Sequence, residues 1–168
     1  MHLYHPLCRY SCANPEHRLT LQADHSHPTA VQKIAAPRCV IVIDDALPAG
    51  KACNAAAVIA LTIGERHPYL VGAPLIDAQD VHHPGLIPVG ISVLKASVGQ
   101  LSKLRADALE KEFDIVGFPV QGQQTKDYTA FRDAVRAVDT HELAYVGVGI
   151  VGENKAVRKL VSDFELMQ

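Results

Sequence analysis

The chain has 168 residues, 48% of them hydrophobic and 20% charged, with a net charge of −2. That length fits one domain whose core needs no disulfide or metal staple, and a near-neutral balance with 5% aromatics and no Trp argues against a nucleic-acid partner. The longest apolar run, Ala55–Ile63, is too short to cross a bilayer, and the first residues lack the apolar stretch of a secretory signal, so a cytoplasmic protein with no membrane partner is expected.

Residues 1–36 are rich in His, Pro, Ser and Thr and follow neither a helical nor a strand period. A disordered or loosely docked extension is expected there, followed by a single domain over residues 37–168. Cys8 and Cys12 lie among several histidines, but their spacing follows no zinc pattern. No metal and no cofactor are expected. Cys39 and Cys53 fall in apolar segments and are expected in the core.

From Cys39 the pattern becomes regular. CVIVID (Cys39–Asp44) predicts a strand buried on both faces. ALPAG turns the chain, and Lys51–Glu65 reads as an alanine-rich helix. Tyr69–Ile76 predicts a second strand, DAQDVHHPG a polar loop and Leu86–Lys95 a third strand. Ser97 and Gln100 have the spacing of a capping box, opening a helix with Leu101, Leu104 and Ala108 on one face. Phe113–Val120 predicts a fourth strand. Thr125–Val138 predicts a helix with Tyr128, Phe131, Val135 and Val138 as its core face. Leu143–Gly152 is a further buried strand, and Glu153–Val161 a short last helix. Strands alternating with helices predict a three-layer α/β/α domain around a mixed, mainly parallel sheet of four to five strands.

Lys51 is the feature this pattern does not explain. It follows Gly50 where a helix begins, and a cation there opposes the positive end of the helix dipole. A bound anion would resolve the conflict. In open α/β sheets ligands collect beyond the carboxyl ends of parallel strands, where helix N–H groups are unpaired. Gly50 would admit a ligand close to the backbone, Lys51 would add an ammonium, and Lys95 and Thr125 would contribute from strand and helix ends. In the alternative reading, Gly50 serves only the turn, Lys51 and Lys95 face water, and Thr125 is a helix cap. His83, before Pro84-Gly85, has the chemistry of a general base. A homodimer is expected from the frequency of two-fold assemblies alone.

VIVIDDALPAGKACNAAAVIA resembles the opening of the peptidyl-tRNA hydrolase II fold, and YVGVGIVGENKAVRKLVSDFELM is similar to its closing strand, turn, short helix and terminal strand. NAAAVIALTIGER, His83–Gly85 and PVGISVLKAS resemble the bacterial domain of unknown function 2000. The resemblance implies a peptidyl-tRNA hydrolase II-like fold and metal-independent cleavage of the ester joining peptide to tRNA, with Lys51 as the matching lysine. The family's helical glutamine is replaced by Ala55, beside Asn54. Its Asp-Ala-Gly followed by threonine has no counterpart; FPVQGQQTKDY supplies Gln121, Gln123, Gln124 and Thr125 instead. The functional expectation is a non-catalytic binding or interaction module for a small anionic ligand at Gly50-Lys51. The alternative is a hydrolase of an anionic or nucleotide-linked ester, with Lys51 stabilising charge and Asn54 or His83 positioning water.

Overall fold

The computed structural model describes residues 34–168. The expected extension lies outside the described residues as far as residue 33, as do Cys8, Cys12 and the histidines around them. In chain order the elements are β1 (Pro37–Asp44), α1 (Ala49–Arg66), β2 (Leu75–Ile76), β3 (His82–His83), β4 (Ile91–Ala96) and α2 (Val98–Glu110). They continue with β5 (Asp114–Pro119), α3 (Tyr128–Arg136), β6 (Tyr145–Glu153), α4 (Asn154–Leu160) and β7 (Glu165–Leu166).

Five strands form one sheet in the order β5-β6-β1-β4-β7. β1 pairs with β4 in parallel, Cys39 opposite Ile91 and Asp44 opposite Ala96. The β1–β6, β5–β6 and β4–β7 pairings are antiparallel. The sheet is therefore mixed as expected, but its neighbour pairings are mostly antiparallel. A continuous apolar run reports burial on both faces and says nothing of strand direction: β6 is buried almost end to end while running antiparallel to both neighbours.

Alternate residues of β1 feed two cores. Cys39, Ile41 and Ile43 pack with α1, and Val40 and Val42 with α2 and α4. Helix α1 presents Ala52, Ala55, Ile59 and Ile63 as one buried stripe. It sits close to β6 because Gly147 and Gly149 have no side chain. A Cβ on Gly149 would come within 2.4 Å of Ile59 Cγ2 and 2.7 Å of Ile63 Cδ1. The capping box of α2 forms as its sequence predicts: Gln100 N–H donates to Ser97 Oγ, and Ser97 N–H donates to Gln100 Oε1 at 2.8 Å.

Four further expectations are corrected. Tyr69–Ile76 is not a sheet strand: Pro68–Leu70 forms a 3-10 turn, and only Leu75–Ile76 is extended and paired, with His82–His83 in a separate exposed hairpin. Gly72 and Pro74 interrupt the run, and proline supplies no ladder donor. The third strand starts at Ile91, beyond Pro88 and Gly90, and not at Leu86. The inner face of α3 is only partly as expected: Phe131, Val135 and, just past the helix, Val138 are half-buried, with Phe131 packed against the core, but no residue of the helix is fully buried and Tyr128 is 74% exposed. Cys39 is buried, and burial pushes its thiol up to about 11, but Cys53 is exposed on α1.

Candidate functional site

The pairings put the carboxyl ends of β1, β4 and β5 on one edge of the sheet. There Asp44, 8% exposed, accepts from Ala46 N–H at 3.1 Å, and Asp45 N–H donates to the Ala96 carbonyl, fixing the turn out of β1 against the end of β4. The Pro48 carbonyl accepts from Lys51 and Ala52 N–H at 2.9 and 3.0 Å, but no side chain caps α1. Gly50 stands in the uncapped first turn. A Cβ added there would meet nothing within 4 Å, so the protein's own packing does not require glycine.

The 3-10 turn Val120–Gln123, which follows β5, reaches the same place. Gln123 Nε2 donates to the Lys51 carbonyl at 2.9 Å. Gly122 lets this turn close over Phe118, whose ring would be 2.0 Å from a Cβ. Thr125 Oγ1 donates to the Gln121 carbonyl at 2.9 Å, while the cap of α3 is Asp127, which accepts from Ala130 N–H at 2.8 Å.

Between α1 and α3 lies an open groove of about 270 Å³, lined by Val58, Phe118, Thr125, Lys126, Tyr128 and Phe131 among others. Phe131 meets both Phe118 and Tyr128 edge to face, with centroids 6.2 and 5.9 Å apart. Lys51, Asn54 and Val58 follow one another at i, i+3 and i+7 on the solvent side of α1, so a single stripe runs from the helix start into this groove. Among the described residues, no acid forms an ion pair with Lys51 or Lys126.

Gly50, Lys51 and Asn54 thus lie exposed in the first turns of α1, while Thr125 lines the groove further along, with Val58. Lys95 lies at the same sheet edge but forms an ion pair with Glu165 at 3.1 Å across β4 and β7. His83 belongs to the exposed β2–β3 hairpin, where its Nε2 bonds Asp77 Oδ2 at 3.0 Å. That bond, followed by those from Val81 and Gln79 N–H, holds the Asp77 carboxyl below the usual range. His83 has no hydrogen bond to the α1 start.

Sequence reasoning missed two groups. One is Lys126, together with the placing of Gln123 and Tyr128 near α1, which depends on the 3-10 turn and the groove. The other is a buried network at the opposite end of α1. Arg66 forms a bidentate ion pair with Asp114 at the start of β5, and fully buried His67 bonds Asp114 Oδ2 through Nε2 at 2.5 Å. His67 Nδ1 meets the Tyr69 hydroxyl at 3.1 Å, and that hydroxyl accepts from Ile34 N–H. One proton arrangement satisfies all these partners: Tyr69 donates to Nδ1, and Nε2–H donates to Asp114. Burial pushes the Asp114 carboxyl up, but the hydrogen bonds from Arg66 and His67, with the Arg66 charge, outweigh it and hold the group below the usual range. The available signal was a lone Asp opening the apolar run of β5.

A family model described as "Protein of unknown function (DUF2000)" matches residues 37–168. No curated protein matches the chain. Among solved structures, a protein of unknown function from Agrobacterium tumefaciens strain C58 superposes with a TM-score of 0.73 at 18% identity, covering 80% of this chain and 100% of that one. At that identity the likeness is one of fold alone.

Proposed function

The chain belongs to this DUF2000 family of unknown function, and on that premise we propose that it is a binding protein for a small anionic ligand carrying an apolar or aromatic body. The anion would be held by Lys51 and the uncapped first turn of α1, with Lys126 as a second cation, and the body would enter the groove beside Tyr128. The observation that carries this reading is the stripe Lys51–Asn54–Val58, which joins a helix N-terminus without a side-chain cap to a groove with an aromatic wall. Gly50 supports it, since nothing in the protein occupies the space a Cβ would fill.

The hydrolase alternative is weaker on its own chemistry. It needs a base or a carboxylate that orients water beside Lys51. Asp44 is engaged by Ala46, Asp127 caps α3, and His83 is tied to Asp77. The likeness to the peptidyl-tRNA hydrolase II fold is our reading of how the domain is built, supported by its strand, Gly-Lys and helix opening and its β6–α4–β7 close. Purified protein is expected to release no peptide from peptidyl-tRNA; turnover abolished by Lys51→Ala would restore the enzyme reading.

The direct test is calorimetric titration with inorganic phosphate and with phenyl phosphate. Phenyl phosphate is expected to bind more tightly, and Lys51→Ala to weaken it about 10- to 100-fold, the loss of one charge-assisted contact of roughly 1.5–3 kcal/mol. Unchanged affinity in both Lys51→Ala and Lys51→Met would sink the site.

A further inference from the structure

On the sheet face away from α1, Arg105 of α2 is half-buried, yet no acid forms an ion pair with it among the described residues. The same helix shows the usual arrangement two residues earlier, where Lys103 Nζ meets Asp107 Oδ2 at 2.6 Å. Arg105 has Leu101, Ser102, Ala108 and Leu109 at the corresponding spacings, so α2 offers it no counter-charge there. Instead its guanidinium lies over the ring of buried Tyr145, 5.2 Å from the centroid, where β6 begins.

Gly117 leaves room for that stack. It lies in the interior of β5, at the edge of the sheet, where a glycine weakens the strand and commonly marks a close approach. A Cβ there would come within 2.9 Å of Tyr145 Cε1 and 3.5 Å of Arg105 Nε. Arg105 and Tyr145 line a pocket of about 440 Å³ between α2 and residues 140–143, with Ser102, Thr140, His141 and Leu143 among the other lining residues. That volume falls in the usual span of small-ligand sites, roughly 300–1,000 Å³. No acid lines it. Glu110, Asp139 and Glu142 stand close by in the sequence, but none pairs with Arg105.

We propose that this pocket binds a small carboxylate with a short aliphatic chain, at a site separate from the one at Lys51. A guanidinium stacked on an aromatic ring keeps its in-plane N–H donors, and their fork matches the two oxygens of a carboxylate. One fixed cation balances a monoanion, whereas a phosphate dianion would be left half-neutralised. Ser102 and Thr140 bring hydroxyl donors to the same pocket. Ala106, Leu109 and Leu143 give it an apolar wall for the chain, and Leu109 is 51% exposed while nothing occupies that wall. A cation drawn partly out of water without a partner is unfavourable, and the bound carboxylate supplies the partner.

Titration of the isotope-labelled full chain with hexanoate, followed through its amide resonances, tests it, with hexanol and inorganic phosphate as comparison probes. Hexanoate is expected to shift the amides of Ser102, Arg105, His141 and Tyr145, while hexanol and phosphate at the same concentrations leave them in place. Arg105→Gln is expected to raise the hexanoate dissociation constant about 10-fold or more, the loss of one charge-assisted contact. Its melting temperature and remaining amide spectrum should stay as in wild type, since Arg105 forms no ion pair within the described residues. Lys51→Ala should leave the hexanoate shifts at Arg105 unchanged, which separates this pocket from the site at the start of α1. Shifts that are absent from the pocket, matched by hexanol, dependent on Lys51 or equal in Arg105→Gln overturn the proposal. So does phosphate binding there more tightly than hexanoate.

Discussion

The two ends of α1 carry the same kind of residue in opposite circumstances. At the C-terminal end Arg66 meets a carboxylate at the start of β5, and fully buried His67 completes the pair. At the N-terminal end Lys51 is exposed beside an uncapped first turn, with no acid paired to it among the described residues. A cation at a helix C-terminus agrees with the dipole, and one at the N-terminus opposes it. One end is finished within the chain and belongs to stability; the other has no side-chain cap and is where the proposed ligand would sit.

Breaking the finished end should have the largest effect. Asp114→Ala leaves buried His67 and the Arg66 guanidinium without their acceptor. It is expected to cost about 2–4 kcal/mol in urea unfolding, toward the lower part of the range for a broken buried pair because Arg66 keeps some contact with water. A loss below half a kcal/mol would mean the network is incidental. Between the two ends, Gly149→Ala should cost about 1–3 kcal/mol, since the new methyl group runs into Ile59 and Ile63; an unchanged urea midpoint would show that α1 rides more loosely on β6 than the contacts imply.

Acid separates the ends further. Because the folded Asp114 carboxyl is held below its unfolded value of about 3.9, its contribution is complete above that pH and is lost as pH falls through the lower folded value. Unfolding curves of wild type and Asp114→Asn should therefore lie apart at neutral pH and converge below about pH 4. Curves that keep their separation down to the acid limit would assign the stabilisation elsewhere.

The open end should respond in the other direction. Gly50→Ala is expected to raise stability by about 0.5–1 kcal/mol, the helix-propensity gain where a Cβ meets nothing, while weakening phenyl phosphate binding if the ligand approaches the backbone there. Lys51→Ala should leave stability equal or raise it by roughly 0.3–1 kcal/mol as the dipole conflict is relieved. A clear loss on thermal melting would give Lys51 a structural role and erase the contrast. The smallest effect is expected at His83→Ala, within about half a kcal/mol, because its bond to Asp77 is exposed.

What the sequence by itself determined follows from local physics. The apolar runs of β1 and β6 report strands buried on both faces, the serine–glutamine spacing reports the α2 cap, and the alanine-rich segment reports a helix packed closely on a sheet. Each of these rests on residues within a few positions of one another. Tertiary structure alone decided strand direction, because burial is the same for parallel and antiparallel central strands. It also decided that His67 finds Asp114 across |i−j| = 47, and that Gln123 reaches Lys51 across |i−j| = 72. Tyr128 shows the boundary most sharply. Its helical spacing with Phe131 marks an apolar face correctly, but whether such a face enters a core or walls an open groove depends on what packs against it, and no local pattern encodes that.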